Sequence, residues 1–109
     1  MGEKMKPIFK SEVMNKDESR YAENLRIKKQ AKAILDFFFQ DVKVRLADKT
    51  YYTPDFFVAY PGHFEVVEIK GFLRDDAAVK FKIAAEKFWF WKWRMIRWNK
   101  DHWDTIYEK

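Results

Sequence analysis

Residues 51–71 read YYTPDFFVAYPGHFEVVEIKG, two extended apolar runs joined across Pro61-Gly62-His63. Phe56-Phe57-Val58 on one side and Val66-Val67 with Ile69 on the other have the composition of buried strands. Within them stand Asp55, Glu68 and Lys70. A carboxylate or ammonium inside a sheet is costly unless it is paired, hydrogen-bonded or bound to a metal. Two acids and a lysine near one end of a hairpin therefore need a chemical reason.

Strand parity sorts the charges. Alternate residues of a strand share a face, so Glu68 and Lys70 point the same way. Glu65 points to the other face, where solvent or a surface partner is expected to receive it. Pro54 lacks an N–H and interrupts the ladder just before Asp55, a break that can splay Asp55 toward Glu68. Two carboxylates in one half-buried cleft repel each other, and a Mg²⁺ with oxygen ligands relieves the repulsion. Such an ion keeps waters, takes a phosphate oxygen and lowers the pKa of a bound water, while Lys70 orients or activates the attacking water. A structural Asp–Lys or Glu–Lys ion pair across the strands is the ordinary alternative. The Phe-Phe-Val and Val-Val runs around these acids weigh against a solvated pair.

Outward from the hairpin, the N-terminal side predicts a helix beginning at Asn15. Asn15 or Asp17 can cap it, and Asp17 and Glu18 suit its first turn. Tyr21, Leu25, Ala31 and Leu35 recur at near-helical spacing, which places Glu18 at the edge of the inward stripe and turns Glu23 elsewhere. Phe37-Phe38-Phe39-Gln40 starts a strand, Val42, Val44 and Leu46 alternate with Lys43 and Arg45, and Ala47 to Thr50 turns. With strands over 51–60 and 64–70, the turns predict a three-stranded antiparallel meander. Beyond Gly71, Asp75 and Asp76 cap a second helix that turns Ala77, Phe81, Ala84, Ala85 and Phe88 inward. Residues 92–98 form another strand, and 104–108 a short last one. The order is α-β-β-β-α-β, an α/β fold with helices packed on a mixed sheet. Residues 1–14 form an N-terminal arm and 15–109 one domain.

Totals restrict the function. The chain of 109 residues is 48% apolar and 19% aromatic, enough to fold around one core. It has no cysteine, which excludes disulfides, zinc–thiolate sites and thiol nucleophiles. No apolar run approaches the length of a membrane span and no signal peptide is apparent, so no membrane partner and a cytoplasmic location are expected. Lys and Arg number 22 against 17 acids, a formal charge of +5 that favours a polyanionic partner, nucleic acid first, or serves only as a solubilising surface.

TPDF, then EIKG after twelve intervening residues, resembles the PD-(D/E)XK signature of the restriction-endonuclease-like nucleases. Pro54-Asp55 matches the PD and Glu68-Ile69-Lys70 the ExK. NKDESRYAENL, the Gln40 strand, YTPDF, EIKG and a basic helix together resemble a group of small phage-encoded members, over 15–98. The resemblance implies a restriction-endonuclease-like α-β-β-β-α-β core and metal-dependent DNA cleavage with Mg²⁺, or Mn²⁺ in its place. It implies Glu18, Asp55, Glu68 and Lys70 as catalytic residues, with Asp55, Glu68 and the Ile69 carbonyl holding the metal. Small size and the absence of a target-recognition domain point to branched DNA, as in Holliday-junction resolvases of DNA recombination, cut by a homodimer with two symmetric sites. A phage-encoded chain would work in the host cytoplasm. Cleavage of linear duplex or DNA ends, and a non-catalytic nucleic-acid-binding module of the same fold, remain the alternatives. Gln40 is a buried amide or a site-lining residue.

Arg74, Lys80 and Lys82 after the motif, and Lys28, Lys29 and Lys32 on the first helix, are candidate phosphate contacts or solvated helix faces. Trp91, Trp93 and Trp98 suit core packing or a dimer interface better than base stacking. His63 and His102 lack metal-ligand spacing and belong at the surface.

Overall fold

The computed structural model describes residues 14–71 and 75–109. The expected arm therefore lies outside the described residues except for Met14, which packs against the core. Helix α1 (Lys16–Gln30) opens on a capping box: the Asn15 side chain accepts from the Glu18 N–H and the Glu18 carboxylate accepts from the Asn15 N–H. Tyr21, Ala22 and Leu25 form its buried stripe. The stripe does not continue to Ala31 and Leu35, which are exposed. Lys32 adopts a left-handed φ of 63°, and the N–H groups of Lys32 and Ala33 close on the carbonyls of Lys29 and Lys28. These paired bonds end the helix and reverse the chain, so that Ile34 enters the core instead.

Five strands form one sheet in the order β1-β4-β5-β6-β7: β1 (Asp36–Phe39), β4 (Phe56–Ala59), β5 (Phe64–Ile69), β6 (Lys92–Asn99) and β7 (His102–Glu108). Between β1 and β4 the chain leaves this sheet for a separate two-stranded hairpin, β2 (Val44–Ala47) with β3 (Thr50–Tyr52). The expected meander is thus corrected. Its middle segment pairs with β3 alone, and the long 51–60 strand is broken at 53–55, where Pro54 has no N–H to give a ladder. Helix α2 (Asp75–Lys87) starts at the acidic pair and connects β5 to its parallel neighbour β6. The predicted final strand exists and is longer than its 104–108 limits.

Alternating residues of β5 divide between two cores. Val67 and Ile69 pack with Phe39, Phe56, Ile96 and the α1 stripe, whereas Val66 packs with Trp93, Met95 and Phe81, Ala84 and Ala85 of α2. The mixed sheet is therefore covered by a helix on each face, and the small hairpin extends the α2 side through Val44 and Tyr52.

Glu65 departs from expectation. It faces away from Glu68, as parity requires, yet it is buried rather than at the surface. Arg94 Nε donates to its carboxylate at 3.0 Å, Tyr60 OH at 3.4 Å, and the same guanidinium reaches Tyr21 OH at 3.2 Å. Removing one partner of such a pair strands the other charge, so Glu65→Ala is expected to cost about 3 kcal/mol. Chemical denaturation should show Glu65→Leu with Arg94→Met costing far less than the single change. A single-variant loss no larger than that of a surface substitution would contradict the pairing.

Candidate active site

The β4–β5 ladder ends at Phe56 opposite Val67. One step further, Asp55 and Glu68 face each other and their side chains take over. The Ile69 N–H donates to Asp55 Oδ2 at 2.9 Å, and the Asp55 N–H donates to Glu68 Oε1 at 3.2 Å. Each carboxylate fills the hydrogen-bonding position that a backbone carbonyl would otherwise occupy. Gln40 completes the row on the other side. Its N–H donates to the Asp55 carbonyl at 2.9 Å and its amide approaches Asp55 Oδ1 at 3.5 Å. Gln40 holds a left-handed φ of 51°, a conformation disfavoured for a residue with a side chain. That backbone turn lets β1 end here while its last amide still reaches Asp55.

Tyr52, from the small hairpin, donates its hydroxyl to Glu68 Oε1 in a short hydrogen bond. Sequence reasoning missed this residue. The available signal was a tyrosine just before the Pro54 break, but its partner depends on a hairpin that the alternation pattern did not reveal. Glu18 arrives from the first turn of α1, where it serves the capping box and also faces the cleft. Asn15, Glu18, Gln40, Tyr52, Asp55 and Glu68 line a cleft of about 590 Å³, closed on one side by Ala77 of α2. Lys70 lines a small adjoining recess with Glu68, Ala77 and Met95, on the Glu68 face as parity predicts. Its ammonium makes no hydrogen bond or ion pair with another described residue.

Burial, opposed in part by the Ile69 N–H bond and reinforced by the nearby Glu18 charge, raises Asp55 to about 6. Glu68 goes further, to about 8, through burial first and then the charge of Asp55, against the stabilising bonds from Tyr52 and the Asp55 N–H. Burial, Glu68 and Asp55 together keep the Tyr52 phenol protonated, so it remains a donor. Among the described residues no lysine, arginine or histidine pairs with Asp55 or Glu68. The oxygen-only donor set and the uncompensated charge fit a hard divalent cation. Among the described residues no three acidic or imidazole side chains stand together as a ready-made metal cage. The fit therefore rests on two carboxylates with backbone and water oxygens.

The other candidates are dispersed. Lys28 and Lys29 lie in the last turn of α1, about 15 Å along the axis from Glu18, Lys32 follows the end of the helix rather than lying on it, and Lys29 is paired with Asp36 at 2.9 Å. Lys80 and Lys82 are exposed on α2, Lys82 over the Tyr107 ring at 5.4 Å. Arg74 lies outside the described residues. Trp93 is fully buried, and Trp91 and Trp98 are half-buried against other rings. His63 is exposed and stacked on Tyr60, and His102 is exposed between Asp101 and Asp104. No family model, curated protein or solved structure matches the chain.

The raised acids carry a stability consequence. The folded chain holds its Glu68 proton from the ordinary value of 4.5 up to about 8. Ionising Glu68 therefore works against the metal-free fold, and stability falls as pH rises through that window. Glu68→Gln, whose amide oxygen still accepts from Tyr52, should raise the melting temperature at pH 9 in chelator by about 5 °C or more. It should change little at pH 5. Equal effects at both pH values would contradict the assignment.

Proposed function

We propose that this protein is a divalent-metal-dependent endodeoxyribonuclease of the PD-(D/E)XK type, acting on branched DNA as a homodimer. The observation that carries the reading is the Asp55–Glu68 pair, which has no cationic partner among the described residues, beside Lys70 at the end of the sheet. The motif residues supply the family resemblance, and the net charge of +5 suits a polyanionic substrate.

In this reading Asp55 and Glu68, with the Ile69 carbonyl, hold Mg²⁺ or Mn²⁺. The ion, when bound, offsets the carboxylate charges and withdraws electron density from the scissile phosphate. Tyr52 fixes one Glu68 oxygen and leaves the other for the cleft, while the Ile69 N–H orients Asp55 in the same way. Lys70 directs its ammonium at the attacking water and at charge developing on the phosphoryl oxygens. Water oxygen bonds to phosphorus as one of its protons passes to solvent, the bond to the leaving sugar oxygen breaks, and that oxygen takes up a proton from solvent. Glu18 adds a third acid at the cleft wall, held in place by the cap.

A labelled four-way junction tests the proposal. Wild type should nick it with Mg²⁺ or Mn²⁺, and Asp55→Asn should still bind it but cut at least about a thousandfold more slowly. Lys70→Met should lose about a hundredfold or more. Binding without cleavage on branched, flapped and linear substrates would leave a non-catalytic binding module. Equal cleavage of linear duplex would remove the preference for branches and retain the nuclease.

A further inference from the structure

Helix α2 is apolar on two opposite faces. Phe81, Ala84 and Ala85 enter the core, whereas Val79 and Ile83, four residues apart on the outer side, are 56% and 48% exposed. In the turn after the helix Trp89 and Phe90 are also exposed, by 71% and 59%. A helix coloured only by its own core would be polar on this outer face. An exposed apolar strip on the outer face of a helix whose inner face is already buried suits a protein-contact surface.

We propose that this strip is the surface on which two copies of the chain pair, with their α2 helices antiparallel across a two-fold axis at Ile83. The charges identify a second copy as the occupant. Lys80 and Glu86 lie three residues to either side of Ile83 and carry opposite signs. An antiparallel two-fold brings each Lys80 onto the Glu86 of the other copy, a self-complementarity that an isologous interface requires. Both side chains are available for this contact. Among the described residues Lys80 makes no hydrogen bond or ion pair, and Glu86 has only a solvent-exposed contact with Lys109 at 3.6 Å. Lys87, which would otherwise crowd Val79, is turned aside to the Leu46 carbonyl at 3.2 Å.

The arrangement assigns Lys80 to the partner rather than to a phosphate. It also sets the two clefts at opposite ends of the helix pair, because Ala77 at the start of α2 lines each cleft. A helix of 13 residues spans about 20 Å, so the clefts would be presented as a symmetric pair. The pairing rests on the homodimer of the proposed function and gives it a surface, but it needs neither DNA nor metal, so it can fail without the cleavage chemistry failing.

Analytical ultracentrifugation of the full chain in chelator tests it. The expected particle has twice the chain mass of 13.4 kDa, and Ile83→Glu, a surface change, should weaken self-association about tenfold or more. Lys80→Glu and Glu86→Lys should each weaken it, and the two together should restore it. A wild-type monomer at high micromolar concentration, an undiminished Ile83→Glu dimer, or a charge-swapped double variant that fails to recover would each overturn the proposal.

Discussion

The hydrogen bonds that the Asp55 and Glu68 carboxylates accept from the Ile69 and Asp55 amides are the constraint around which this end of the molecule is arranged. Backbone pairing of β4 with β5 stops at Phe56 and Val67, and each acid then accepts the opposing strand's next amide. The bonds satisfy two N–H groups that the broken ladder would leave open. They also hold two carboxylates close together, where burial raises both and the Asp55 charge adds to the cost of ionising Glu68. The site is therefore both a structural closure and a store of unfavourable charge. A bound cation would relieve the second without disturbing the first.

The rest of the fold supplies what that closure needs. Pro54 breaks the strand, Gln40 takes a left-handed turn so that β1 can end at the same row, and the β2–β3 hairpin brings Tyr52 over Glu68. The α1 cap places Glu18 on the near wall, while the parallel β5–β6 pair sends α2 back across the sheet with Ala77 at the cleft. On the α1 face, well away from this cluster, Glu65 and Arg94 form a charge pair that is already compensated. The contrast is instructive. One buried acid has its guanidinium and is structural, whereas the Asp55–Glu68 pair has no such partner among the described residues.

Much of this was legible in the sequence, for physical reasons that can be named. The alternation over 64–69 and 92–98 showed the strands, and the acidic pair at 75–76 showed where α2 begins. Parity placed Glu68 with Lys70 and Glu65 on the other face. It could not show that Arg94, distant in sequence, would meet Glu65 in the interior. The end of α1 was hidden because the left-handed position is filled by Lys32 rather than by glycine, so the periodicity appeared to run on to Leu35. The β2–β3 hairpin was hidden because an alternating strand does not announce its partner. Tyr52 was missed along with it. The basic residues were the least legible, since a count of lysines fixes a net charge but not where along a helix that charge is presented.

The central claim is that the Asp55–Glu68 corner is completed by a divalent cation, and Mn²⁺ binding followed by electron paramagnetic resonance at pH 8 tests it most directly. The account predicts saturable binding by the wild-type chain, competition by Mg²⁺ and loss of the bound signal in Glu68→Gln. Buffer-dependent calorimetry should show protons released on binding, because the ion displaces protons held by the raised acids. Binding that is absent in the wild type, or unchanged in Glu68→Gln, would contradict it.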